Sequence, residues 1–115
     1  MIAQKHRFHG LGSLRFVYQN GKTVRGGTLA VKYIGNPRRQ TYRCAVVVSK
    51  KVNKSAVARN RIRRRVYEII RGLEVNIKAP YDIVITIFSD EVRTMPAEQL
   101  QKTVHELLQQ AGMIS

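Results

Sequence analysis

The residues best able to do chemistry crowd between positions 49 and 65. Lys50, Lys51, Lys54, Arg59, Arg61, Arg63, Arg64 and Arg65 occur there without one acid. Arginine outnumbers lysine in the second half of this stretch. Its planar guanidinium binds phosphate through two parallel hydrogen bonds and stacks on bases, which suits RNA better than diffuse attraction would. At about 100° per residue, Asn60, Arg64, Tyr67 and Arg71 fall on one helical line, opposite Ile62, Val66, Ile69 and Leu73. The spacing predicts an Asn-Arg-Tyr-Arg stripe facing outward while the apolar stripe docks on a sheet. Arg63 and Arg65 flank the apolar stripe, where their stems can be buried and their heads solvated. The turn from Ser49 to Ser55 feeds the helix N-terminus, whose backbone N–H groups add a further anion site. A solvated helix face normally mixes both signs, and this one has only Glu68.

Other constellations are poorer. His6, His9 and His105 are too scattered for a metal site and read as tail and surface residues. Asp82, Asp90 and Glu91 invite comparison with a metal-ion nuclease centre, but a short acidic turn before a helix is commonplace. Cys44 is the only cysteine, which excludes an internal disulfide and a cysteine-based zinc cluster; it sits in an apolar run and reads as core. Ser49 has no neighbouring histidine for nucleophilic work. Tyr33, Tyr42 and Phe88 read as packing residues, although an exposed one could stack on RNA.

These groups must be positioned by secondary structure, and the pattern supplies it. Leu11, Leu14, Val17 and Tyr18 predict a helix over residues 11 to 19, with Asn20-Gly21 as a left-handed stop. Residues 28 to 34 alternate as a strand, with Leu29, Val31 and Tyr33 on one face and Lys32 on the other. Gly35-Asn36-Pro37 is a turn signal. Residues 41 to 49 read as a second strand, forming a hairpin with the first. Its run from Cys44 to Val48 is apolar on both faces and suggests a central position. Ser55 is an N-cap for the basic helix. Residues 81 to 88 form another strand, and a last helix begins near Pro96, buries Leu100, Val104, Leu107 and Leu108, and stops at Gly112. The order is α-β-β-α-β-α, an α+β sandwich of helices on a mostly antiparallel sheet.

The whole chain agrees with a nucleic-acid partner. It has 115 residues, 43% hydrophobic and 24% charged, enough for one domain over residues 1 to 115. Its net charge is +14. Residues 1 to 67 hold 17 Lys or Arg and no acid, while residues 68 to 115 hold 4 basic and 7 acidic residues. Self-repulsion of this size is usually tolerated for phosphate. A membrane-surface binder would need a large aliphatic or Trp-rich face, and the chain has no Trp. No apolar run nears the roughly 20 residues of a membrane span, and the opening MIAQKHRFHG is unlike a signal peptide. A cytoplasmic RNA-binding domain, with no membrane or DNA partner, is expected.

The string SKKVNKSAVARNRIRRRVYEIIR, residues 49 to 71, resembles the signature of the bacterial ribonuclease P protein subunit. Its Arg59-Asn60-Arg61 core, with Arg63-Arg64 behind and Ser49-Lys50-Lys51 before it, carries the likeness. Leu14, Val17-Tyr18, Asn20-Gly21 and the strand Tyr81-Asp82-Ile83-Val84-Ile85 extend it over nearly the whole chain. The resemblance implies a fold like domain 2 of ribosomal protein S5, with a left-handed β-α-β crossover. It implies a ribonucleoprotein that removes the 5′ leader of precursor tRNA, with the catalytic centre and Mg²⁺ in the RNA subunit and no catalytic residue in the protein. By position, Arg59, Asn60, Arg61, Arg63 and Arg64 would contact the RNA subunit, as would Lys50, Lys51, Lys54 and Arg71. Leu14, Tyr18, Lys32 and Tyr67 would line the leader cleft. Leu14 stands where the family has an aromatic, Tyr67 where it has a basic residue, and the turn from Asn53 to Ala56 is one residue longer than the family's Gly-Lys-Ala. The alternative is a structural RNA-binding protein such as a small ribosomal protein, and a protein-only nuclease is a third reading.

Overall fold

The computed structural model describes residues 3–8, 11–78 and 80–114. Its elements are α1 (Leu11–Asn20), β1 (Lys22–Arg25), β2 (Leu29–Gly35), β3 (Arg43–Val47), α2 (Ala56–Leu73), β4 (Tyr81–Ile87), α3 (Glu91–Thr94) and α4 (Ala97–Gln110). The strands form one mixed sheet in the order β1-β2-β4-β3. β1 pairs antiparallel with β2 and β2 with β4, whereas β3 runs parallel to β4.

Two expectations about the sheet need correction. β2 and β3 are not a hairpin, because β4 lies between them. The hairpin is β1–β2, turned through Gly26-Gly27, where the Gly26 amide donates to the Leu29 carbonyl at 2.9 Å. β1 is short and largely exposed, with no apolar alternation to announce it. β3 is an edge strand rather than a central one. It is apolar on both faces because Cys44 and Val46 enter the core while Ala45 and Val47 are half-buried in the other face. The parallel β3–β4 pair is joined through α2, as a parallel connection requires.

Strand alternation divides the sheet into two faces. Leu29, Val31, Cys44, Val46, Ile83, Ile85 and Ile87 pack with Ile62, Val66 and Ile70 of α2 and Leu100, Val104, Leu107 and Leu108 of α4 in one buried cluster. The opposite face carries α1, which packs on β2 and β4; Val17, Ala30 and Val84 are buried in this layer. Within α1, the side chain of Leu11 lies outside the described residues.

The end of α1 is set by proximity, not by a left-handed residue. Gly112, past α4, is the only described residue with positive φ, at 78°. A Cβ on Gly21 would sit 2.6 Å from the Val17 carbonyl oxygen and 3.0 Å from that of Tyr33, so only glycine lets α1 descend onto β2 here. The start of α1 is tied down by a buried ion pair. Arg43 donates to both Asp82 oxygens, at 2.8 and 2.7 Å, and to Ser13 Oγ at 3.3 Å, while Asn36 Nδ2 donates to Asp82 at 3.0 Å. Charge-assisted bidentate geometry of this kind fixes four chain segments at one point.

Candidate nucleic-acid interface

α2 starts where the sequence places it. Ser55 is the N-cap and its Oγ accepts from the Ala58 amide at 3.2 Å. The preceding turn adopts no left-handed residue. Asn53 instead accepts the Ser55 amide on Oδ1 at 2.9 Å, a local turn that asparagine forms readily. Its Nδ2 donates to Asp90 at 2.9 Å. Arg59 closes the turn from the helix side, donating to the carbonyls of Asn53 at 3.0 Å and Lys54 at 2.9 Å. These side-chain hydrogen bonds brace the turn, and Lys50, Lys51 and Lys54 are exposed around it.

Along α2, Asn60, Arg61, Arg64 and Arg71 are exposed and Arg63 is half-buried, donating to Asn60 Oδ1 at 2.5 Å. Tyr67 leaves this stripe. It is 9% exposed and its hydroxyl accepts from the Val46 amide at 3.1 Å, so it braces the edge strand β3 from the core side and does not line a cleft on the α1 side. Burial pushes its hydroxyl pKa up. The reason is the edge position of β3: an N–H in a buried setting must find a partner, and the tyrosine hydroxyl supplies it. Arg65 is structural as well, donating to the carbonyls of Val92 and Met95 and so holding α3.

The sheet face around α1 carries a second set of groups. Tyr18 is exposed, and Lys32 Nζ lies 5.8 Å from its ring centroid, within cation–π range; Leu14 is half-buried. By strand pairing, Thr23, Arg25, Lys32, Thr86 and Val47 share this face. The Arg25 guanidinium lies 4.6 Å from the centre of the exposed Phe88 ring. A cavity of about 340 Å³ next to it is lined by Val47, Ser49, Lys51, Val52, Thr86 and Phe88, joining this face to the basic turn. The only trace of the Arg25–Phe88 pair in the sequence is a basic residue before Gly26-Gly27.

The remaining candidates fall into place as structure. Asp82 is held by Arg43, and Asp90 by Arg93 at 3.0 Å, whose hydrogen bonds, with that of Asn53, lower the Asp90 carboxyl below the usual range. Cys44 is buried and its thiol is pushed up by desolvation. His9 lies outside the described residues. His6 is not a surface residue: it is 8% exposed, stacks on Tyr42 with ring centroids 4.1 Å apart, and its Nδ1 is 3.0 Å from the Tyr42 carbonyl. Among the described residues, no three His, Cys, Asp or Glu side chains are grouped to hold a metal ion, and no helix is long and apolar enough to cross a membrane.

Comparison with known proteins gives the same direction. A family model described as ribonuclease P matches residues 2–112. A ribonuclease P protein component of Chloroflexus aurantiacus is 43% identical over 113 residues, 98% of this chain and 82% of that protein. One from Synechocystis is 32% identical over 98 residues, 85% of this chain and 78% of that one. The solved structure of the Staphylococcus aureus RNase P protein superposes with a TM-score of 0.84 at 24% identity, covering 96% of this chain and 98% of that one, a likeness of fold.

Proposed function

The chain belongs to the ribonuclease P protein family, and on that premise we propose that its α1-side sheet face carries the 5′ leader of precursor tRNA while the basic end of α2 meets the RNA subunit. The protein component acts within a ribonucleoprotein that processes tRNA, so its partners are that RNA and the tRNA precursor. The observation that carries the division of labour is the exposed Tyr18 ring beside Lys32, on the same sheet face as Thr86, which itself lines the cavity beside the basic turn. A flat ring can take a base and an adjacent ammonium a phosphate. Arg61 and Arg64, exposed on α2, have their guanidinium groups free to fork onto phosphates of a folded RNA. Arg59, Asn60, Arg63, Lys50, Lys51, Lys54 and Arg71 surround them.

In this reading the catalytic centre and its Mg²⁺ belong to the RNA. Of the three acids a protein metal centre would draw on, Asp82 and Asp90 are each engaged by an arginine, which supports this reading. What the chain contributes is binding and orientation: holding the leader fixes the scissile bond relative to the RNA, and cationic side chains offset phosphate repulsion that Mg²⁺ would otherwise have to screen.

The test is precursor-tRNA cleavage at low Mg²⁺ by a bacterial RNA subunit, with and without the protein. Strong stimulation, with no cleavage by protein alone, is the expected result. Cleavage by protein alone would overturn the reading. Tyr18→Ala is expected to weaken precursor-tRNA binding about five- to hundred-fold while sparing the RNA subunit, from the ~1–3 kcal/mol that a stacked base contributes.

A further inference from the structure

The opposite flank of α1 carries a second cavity beneath an exposed aromatic ring. Residues 16 and 18 lie about 200° apart on a helix, so Phe16 faces away from the Tyr18–Lys32 side. It is 53% exposed, the more open of the two aromatic side chains. Below it is a cavity of about 480 Å³ between α1 and the end of β2 with the turn that follows, lined by Gly12, Ser13, Phe16, Ile34 to Arg38, Arg43 and Asp82.

The walls of this cavity are fixed. Arg43 and Asp82 line it, are 9% and 2% exposed, and bond each other, Ser13 and Asn36. The Arg43 guanidinium is also covered by the Phe8 ring, 4.7 Å from its centroid. Asn36 Oδ1 accepts the Arg38 amide at 3.3 Å, which shapes the far wall as a local turn. The floor therefore holds one positive and one negative group that cancel. The rim keeps a positive charge, since Arg38 lines the cavity and is exposed. A neutral floor under an open aromatic ring suits a base, and a cationic rim suits the phosphate attached to it.

We propose that this groove is a second nucleotide subsite, in which an unpaired RNA base stacks on Phe16 while its phosphate meets Arg38. It rests on the leader reading and extends it: a single strand bound at Tyr18 continues around α1 into the groove. An apolar protein partner at Phe16 is the competing occupant, but it would leave the exposed Arg38 without a counter-charge.

The experiment is fluorescence-anisotropy titration of the full chain with two labelled single-stranded RNAs, a pentanucleotide and a dodecanucleotide, at fixed salt. Phe16→Ala is expected to weaken the dodecanucleotide about five-fold or more and leave the pentanucleotide unchanged, with Phe16→Tyr restoring affinity. Arg38→Ala should act in the same direction, and abasic residues in the distal half of the dodecanucleotide should abolish the dependence on Phe16. Because Phe16 is exposed, the melting temperature of Phe16→Ala should match that of the parent protein. If Phe16→Ala changes neither RNA while Tyr18→Ala still weakens both, the second subsite is overturned and the leader face stands. If neither substitution changes binding, both fall.

Discussion

Replacing Tyr67 by Phe removes the acceptor of the Val46 amide and leaves the ring in place. A buried N–H without a partner costs about 1–3 kcal/mol, so Tyr67→Phe should lower stability by that amount in urea unfolding. Its affinity for precursor tRNA should not change, because the ring faces the core. Arg64, one turn earlier, should behave in the opposite way. Arg64→Ala removes an exposed cation and should leave unfolding unaffected while lowering the slope of log affinity against log salt by about one unit. A slope unchanged within error would take Arg64 out of the RNA contacts. The two residues share a helical line in the sequence, and only the edge position of β3 separates their roles.

At the level of elements, α1 depends on how closely its last turn approaches β2. Gly21→Ala would drive a Cβ into the Val17 and Tyr33 carbonyls, a contact that only a backbone shift relieves. Strain of this size costs about 1–3 kcal/mol, and the shift would move Tyr18 relative to Lys32. Reduced stability together with weaker leader binding is the expected pair of results in unfolding and titration experiments. How much of this was legible in the sequence follows the range of the interactions. α2 and α4 were readable to within a residue or two, because amphipathic periodicity and the Ser55 cap are local signals. The three strands with apolar alternation are legible for the same reason. Their pairing was not, since nothing local tells β3 that its neighbour is β4, nearly forty residues later. The basic stripe was legible because charge repels the core. Tyr67, amphipathic and able to serve either side, was not, and neither was the Arg43–Asp82 pair, whose only sign was a lone acid at the start of an apolar strand.

For the whole molecule, a net charge of +14 acts on folding and on binding with opposite signs. Like charges destabilise the compact state, so in the absence of RNA added salt should raise the melting temperature. The same salt should weaken RNA binding steeply, as counterion release demands. Calorimetry and titration across one salt series test both. A melting temperature that falls with salt would mean that attractive pairs, such as Arg43–Asp82 and Arg93–Asp90, outweigh the repulsion.

The place of β4 in the sheet also sets a timetable. It is flanked by β2 and β3, yet it follows both in the chain and follows α2 too. During synthesis, β2 and β3 therefore emerge with no strand to join them, and the basic helix emerges with no complete sheet to rest on. Until residue 87 is free, the nascent chain exposes its 17 early cations as an unsorted polycation, which any nearby nucleic acid can occupy. The fold that sorts these cations onto separate faces is thus completed late, in the step that inserts an inner strand between two earlier ones.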